Sequence, residues 1–262
     1  MALDPTTIAG LAEHLERCQL EARDTLKITD EHPGMDWDDA YAIQDAILVA
    51  KLARGAKPAG LKCGLTSHAK MRQMGVTEPV FGFLVDEFSV AEGAEVDMKQ
   101  LIHPKVEPEI AFVLGRELKG PGCHIAAVLA ATDFVLPGIE VIDSRYRDFK
   151  FDLKSVIADN TSAARFVVGG RAMRPHEVDL RTLGVVLEKN GRTVALGAGA
   201  AVLGHPAAAV AMLANHLGRR GSSIPAGTMI LSGGVTEAVA VEPGDHVTLR
   251  IQDLGSVSLR FG

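Results

Sequence analysis

The stretch Lys105-Val106-Glu107-Pro108-Glu109-Ile110-Ala111-Phe112-Val113 decides how this chain is read, together with Gly138-Ile139-Glu140-Val141-Ile142-Asp143. Alternate side chains of an extended strand share a face, so Glu107 and Glu109 project together, while Ile110 to Val113 read as buried strand. Glu140 stands between Ile139 and Val141 in a second apolar run. Carboxylates in such runs stay ionised only beside a compensating charge. No Lys or Arg is spaced to pair with all three, whereas one divalent cation can. Three oxygen donors without a Cys–His pattern suit a hard ion, Mg2+ or Mn2+, with positions left open for water or substrate. The plainer alternative is a solvated strand face, on which Glu-x-Glu is common. Glu140 favours the ion, and Pro108 favours an edge or irregular strand that offers ligands to a cleft.

Upstream the pattern is helical. Thr6 or Thr7 is expected to cap a helix carrying Ile8, Leu11, Leu15 and Cys18. Asp36 is expected to cap a second, with Asp38 and Asp39 in the first turn, where the dipole favours acids. That helix places Trp37, Tyr41, Leu48 and Leu52 near one face, with Trp37 and Tyr41 expected in the core and Gly55 as the stop. Gly60-Leu61-Lys62-Cys63-Gly64-Leu65 reads as a short strand, and Ser67 as the cap of a helix through Met74. Lys62, flanked by glycines that let the backbone approach a ligand, is either an active-site cation or an ordinary Lys on an edge strand. Pro79-Val80-Phe81-Gly82 marks a boundary between a mainly helical region, 1–79, and a β-rich region, 80–262.

Downstream, Val185–Glu188 and Thr193–Leu196 flank Asn190-Gly191, the preferred pair for a type I′ hairpin turn. A last hairpin sets Val247, Leu249 and Ile251 against Val257, Leu259 and Phe261. Helices interrupt at about 122–131 and 206–218, the second opened by His205-Pro206. Strands in runs with few helices between them predict an α+β fold rather than a wound parallel sheet. Two polar segments remain, Lys154 to Ser162 and Ser232-Gly233-Gly234-Val235-Thr236. Gly-Gly before Val-Thr can present backbone N–H groups to an anion, or can be a plain turn.

Composition narrows the functions. The 262 residues are 47% hydrophobic, ample for a core, and the net charge of −6 leaves no basic footprint for nucleic acid. Cys18, Cys63 and Cys123 have no paired spacing and are expected as free thiols in a reducing compartment. Without an apolar leader or a long apolar run, a cytoplasmic protein with no membrane partner is expected. The histidines form no zinc pair, and neither a G-x-S-x-G elbow nor a phosphate-binding glycine pattern is present.

Lys105–Leu114, Gly138–Tyr146, Asp152–Arg165 and Leu231–Asp245 together resemble the hydratase/decarboxylase branch of the fumarylacetoacetate hydrolase superfamily. The resemblance covers nearly the whole chain and implies a small N-terminal helical region followed by a mixed β-roll. It implies Mg2+ or Mn2+ on Glu107, Glu109 and Glu140, Lys62 as a catalytic and substrate-binding residue, and Ser162 with Gly234, Val235 and Thr236 lining the substrate pocket. The runs Val141–Tyr146 and Phe149–Asn160 resemble the decarboxylases more than the hydratases. The implied activity is therefore metal-dependent decarboxylation of 2-oxo-3-hexenedioate to 2-hydroxypenta-2,4-dienoate in aromatic meta-cleavage catabolism. The alternatives are hydration of 2-oxopent-4-enoate and, more remotely, acylpyruvate-type C–C hydrolysis. The latter needs a His–acid pair that His68 does not supply. The resemblance also implies a homo-oligomer able to associate with the hydratase of the same pathway.

Overall fold

The computed structural model describes residues 3–262. Helices α1 (Pro5–Leu20) and α2 (Trp37–Ala53) lead into β1 (Pro58–Gly64), α3 (His68–Met74), β2 (Val80–Val85) and β3 (Glu95–Val96). Then follow β4 (Lys105–Leu114), α4 (Ile125–Ala131), β5 (Thr132–Ile142), α5 (Leu153–Ala158) and β6 (Ala163–Val168). The chain closes with β7 (Gly184–Lys189), β8 (Arg192–Ala198), α6 (Pro206–Arg219), β9 (Met229–Leu231), β10 (Val239–Ala240), β11 (His246–Ile251) and β12 (Gly255–Phe261).

The strands form two sheets. A seven-stranded sheet has the order β2-β1-β9-β4-β5-β6, with β10 paired to β4, and a five-stranded sheet has the order β3-β12-β11-β7-β8. Most pairings are antiparallel, with β1–β9 and β3–β12 parallel, so the fold is α+β, a mixed β-roll with few helices. Since β1 lies between β2 and β9, the sheet already begins inside the segment before residue 79. The two hairpins form at their expected turns, with Asn190 and Gly191 at φ 55° and 74° as a type I′ turn requires.

Strand β4 shows how the layers divide. Val106, Ile110 and Phe112 face the core shared with β7, β11, β12 and α6, whereas Ala111 faces the core built with α1, α2 and α5. Lys105, Glu107 and Glu109 belong to the Ala111 face, so the acids sit between the larger sheet and the helical layer. Helix α6, apolar enough for its segment to match a membrane span by composition, buries Ala207, Ala209, Val210, Leu213 and Ala214 in the shared core.

Local chemistry explains both N-terminal helices and corrects two expectations. Asp4, not Thr6 or Thr7, caps α1: its carboxylate accepts from the N–H groups of Thr6 and Thr7, and Pro5 takes the first turn. Asp36 caps α2 as expected, in a reciprocal capping box with Asp39. Tyr41 is 4% exposed, but Trp37, the first residue of α2, is 38% exposed and belongs to neither core cluster.

Candidate metal centre

Glu107 and Glu140 are directly opposite each other in the antiparallel β4–β5 pair. Glu109 is opposite Gly138, which makes Glu140 its diagonal neighbour across the pair. The result is a cluster in which one carboxylate oxygen from each of Glu107, Glu109 and Glu140 lies within 4.8 Å of the others. Glu109 and Glu140 are fully buried, and Glu107 stands at the rim. Like charges opposite one another in a sheet are destabilising, so this arrangement calls for a counter-charge.

Lys62 supplies part of it. On β1 it is 2% exposed, with Nζ 2.7 Å from Glu140 Oε1 and donating to the Thr161 carbonyl at 2.9 Å. The Glu140 contact is an ion pair by distance, while neither Glu140 oxygen has a partner in hydrogen-bonding geometry among the described residues. Burial alone would lower the Lys62 ammonium, but Glu140, Glu107 and Glu109 prevail and raise it, so the amine stays charged. Burial pushes Glu109 well above the carboxylate range, reinforced by Glu140 and Glu107 and opposed by Lys62. Glu140 is also raised by burial, with Lys62 opposing.

One ammonium does not neutralise three acids. Glu109 Oε1, both oxygens of Glu140, Thr161 Oγ1 and Ser232 Oγ are buried with no hydrogen-bond partner among the described residues. Clustered carboxylate oxygens of Glu107, Glu109 and Glu140, all hard donors, are what a divalent cation with bound water satisfies, since such ions bind oxygen at about 2.0–2.6 Å. The donor set therefore fits a hard cation and contains no soft ligand.

The Thr161 carbonyl is aimed by an unusual turn. Asn160, Thr161 and Ser162 have φ of 47°, 50° and 61°, three successive left-handed residues, each costing about 1–2 kcal/mol. Hydrogen bonds hold them there. Asn160 pairs with Phe83 as a strand residue would, accepting from its N–H at 2.9 Å and donating to its carbonyl at 3.0 Å. Asp143 N–H donates to the Ser162 carbonyl at 2.8 Å, and Arg145 pins Asp159 just before the turn. Gly82, opposite Lys62, makes the space: a Cβ there would meet Asn160 Oδ1 and Thr161 Oγ1 at 2.7 Å.

The other residues named from the sequence are placed less uniformly. Ser162 is buried, with Oγ directed to Asp159 Oδ2 at 3.4 Å. Gly234 touches the centre, as a Cβ there would stand 3.2 Å from the Glu107 carboxylate. Val235 is in the shared core, and its side chain and that of Thr236 lie against Gly197 of β8 rather than beside the acids. Gly233, left out of the expected pocket residues although the Gly-Gly pair can present N–H groups to an anion, donates its N–H to Glu109 Oε2 at 2.6 Å from a φ of +99°. The Gly233-Gly234 pair was its only signal. Thr161 acts through its backbone, which leaves no side-chain signature.

Comparison with known proteins agrees with this geometry. Residues 59–261 match the family model described as fumarylacetoacetate (FAA) hydrolase C-terminal. The chain is 60% identical to a 4-oxalocrotonate decarboxylase of Pseudomonas sp. (strain CF600), over 97% of this chain and 96% of that protein. It is 39% identical to a 2-hydroxyhexa-2,4-dienoate hydratase of Comamonas testosteroni, over 98% of each. Among solved structures, 4-oxalocrotonate decarboxylase from Pseudomonas putida G7, complexed with magnesium and adipate, superposes with a TM-score of 0.98 at 58% identity, covering 99% of both chains. A match across residues 59–261, with the three acids on the paired strands β4 and β5, places this chain in the fumarylacetoacetate hydrolase family.

Proposed function

We propose that this chain is a carboxy-lyase that removes CO2 from 2-oxo-3-hexenedioate, giving 2-hydroxypenta-2,4-dienoate, as a step of aromatic meta-cleavage catabolism. The observation that carries the reading is near-full-length identity of 60% to a 4-oxalocrotonate decarboxylase, joined to an oxygen-only acidic centre in this chain. Glu107, Glu109 and Glu140 would hold Mg2+, or Mn2+ in its place. When bound, the ion polarises the 2-oxo group and stabilises the negative charge that develops there.

The chain's own residues do the rest. Breaking the C5–C6 bond releases CO2 and sends its electron pair through the conjugated chain to the 2-oxygen, which is then protonated to the dienol. Lys62 stands where positive charge is wanted. Its Nζ donates to Thr161 O and stands within ion-pair distance of Glu140 Oε1, and an ammonium has three N–H donors, so a further N–H can meet a substrate oxygen. A permanently charged amine adds electrostatic stabilisation and makes a poor Schiff-base nucleophile. The buried faces of β1 and β4 exclude water, which strengthens that charge. Ser162 and the Gly234-Val235-Thr236 loop border the substrate, Gly234 through its backbone beside Glu107. The β-roll of 80–262 contributes the three acids, and the N-terminal region, 1–79, contributes Lys62.

The free state of Cys18, Cys63 and Cys123 suits the cytoplasm. The family resemblance supports a homo-oligomer that passes the unstable dienol to the pathway hydratase. Co-elution of the two purified proteins, with faster dienol consumption than in their unmixed sum, tests that partnership.

The test of the reaction uses purified protein with 2-oxo-3-hexenedioate, following CO2 and substrate absorbance with Mg2+ and then with excess chelator. Metal-dependent CO2 release is expected. Consumption of 2-hydroxypenta-2,4-dienoate without CO2 would make the chain a hydratase. Lys62→Ala is expected to lower turnover by more than about tenfold while leaving metal binding nearly intact.

A further inference from the structure

Lys105 opens β4 two residues before Glu107 and points to the same face as Glu107 and Glu109. Its ammonium lies 4.1 Å from the centre of the Phe149 ring. Among the cations of β1, β4 and the 143–150 segment, Lys62 is paired with Glu140, Arg145 with Asp159, Arg147 with Asp24 and Lys150 with Asp148. Lys105 forms no ion pair among the described residues, and its charge faces an aromatic ring instead.

The ring is held in place at a conformational cost. Asp148 and Phe149 have φ of 58° and 55°, a left-handed pair that a bulky residue seldom adopts. The turn is tied by Phe149 N–H donating to the Tyr146 carbonyl at 3.1 Å, and Tyr146 is fully buried with its hydroxyl on the Ser155 carbonyl. His103 also packs on Phe149, the ring centres 4.7 Å apart, and its backbone N–H donates to Asp143. A strained turn thus sets an aromatic ring against a half-buried cation that pairs with no anion among the described residues.

We propose that Lys105 is the specificity residue of this site, the group that receives the distal carboxylate of a dicarboxylate substrate. The inference rests on the functional reading above and supplies what that reading lacks, a group that tells a diacid from a monoacid. Spacing supports it. Two residues along a strand span about 6.7 Å, and the terminal carbons of an extended six-carbon diacid are about 6.5 Å apart, its five zigzag bonds of roughly 1.5 Å each advancing about 1.3 Å. With its 2-oxo acid end at the Glu107–Glu109–Glu140 centre, a diacid of that length lying along β4 would carry its far carboxylate toward Lys105. Phe149 guides the ammonium without neutralising it, because a cation–π contact leaves the charge free to bind an anion.

The test uses the Mg2+-loaded protein, its K105M and K105R variants, adipate as a diacid probe and 2-oxopentanoate as a monoacid probe. K105M should weaken adipate binding and raise KM for 2-oxo-3-hexenedioate by about 10–100-fold, the range for losing a hydrogen bond to a charged group. Binding of 2-oxopentanoate should change less than about twofold, because the metal end is intact, and K105R should recover most of the diacid affinity. Equal loss for both probes would mean a structural role and would overturn the proposal, as would an unchanged adipate affinity. If the unmodified protein released no CO2, the functional reading would fail by itself. Adipate and 2-oxopentanoate calorimetry on the same proteins would still decide the role of Lys105.

Discussion

Gly233 is the residue at which the centre tolerates least. Its φ of +99° disfavours any L side chain, and a Cβ there would collide with the side chain of Thr66. Gly233→Ala is expected to pull its N–H away from Glu109 and weaken Mn2+ binding by about 10–100-fold, as loss of an outer hydrogen bond to a metal ligand does. Equilibrium titration with Mn2+ measures it, and unchanged affinity would deny Gly233 this role. Glu109→Gln tests the charge itself. The amide oxygen can still accept from Gly233, and a neutral group replaces an acid whose ionisation burial disfavours, so in chelator the variant should melt above the parent. The extra stability that added Mg2+ gives the parent should shrink in the variant, because stabilisation by a ligand follows its affinity. Thermal melts with and without Mg2+ show both effects. A variant that melts lower in chelator would mean that Glu109 is stabilising as it stands. At this scale the sequence disclosed what side chains do. The period-two spacing of Glu107 and Glu109 and the apolar flanks of Glu140 pointed to the centre. The Gly-Gly pair offered backbone N–H groups to an anion without saying which anion, and Thr161 C=O stayed hidden, because a backbone group acts through a conformation that only the folded chain fixes.

The elements were legible where local chemistry sets them and less so where packing does. The α2 capping box and the Asn190-Gly191 turn are short-range devices, and both formed where their residues stand. The cap of α1 was misplaced because three candidate cap residues lie together and Pro5 selects the one before it. The left-handed turn of Asn160 to Ser162 had no local signal, since Asn160 is satisfied by Phe83, far away in sequence. The α1–α2 hairpin is likewise joined by a long-range device. Lys51 of α2, 2% exposed, donates to Glu16 at 3.0 Å, Gln19 at 2.9 Å and Glu87 at 3.0 Å. Glu16 is buried too, with Arg54 as its second cation. Lys51→Met leaves that carboxylate half-compensated, and a loss of about 3 kcal/mol is expected in urea unfolding. The double variant Lys51→Met with Glu16→Leu should regain much of it, because an apolar pair replaces the charges without an orphan. A single-variant loss below about 0.5 kcal/mol would place Lys51 among ordinary surface lysines.

Across the whole molecule, helical layer, sheet and C-terminal helix meet at His216. This residue of α6 packs its ring 4.6 Å from that of Tyr41 on α2 and 5.0 Å from that of Phe81 on β2. Its Nε2 is buried without a hydrogen-bond partner among the described residues. Burial lowers its pKa to about 4, helped by the positive charges of Arg220 and Arg219. Arg220 also lies over Tyr41, at 5.3 Å from the ring centre. A neutral imidazole therefore joins three parts of the fold that composition and periodicity show only separately. The sign of its pH effect follows from the two states. Above about pH 6.5, the ordinary value, His216 is neutral folded and unfolded and adds no pH dependence. Between about 6.5 and 4 the unfolded chain takes up the proton and the folded one does not, so stability falls as pH falls, and below about 4 this contribution levels off. Carboxylates also titrate in that window, so the comparison must be with a ring that cannot be protonated. His216→Phe keeps the stacking on Tyr41 and Phe81 and removes the proton site. Urea midpoints at pH 7 and pH 4.5 should drop further for the parent than for the variant. Equal drops would mean that His216 is protonated in the folded protein at no cost, and that the contact of α6 with the rest of the fold does not depend on a neutral ring.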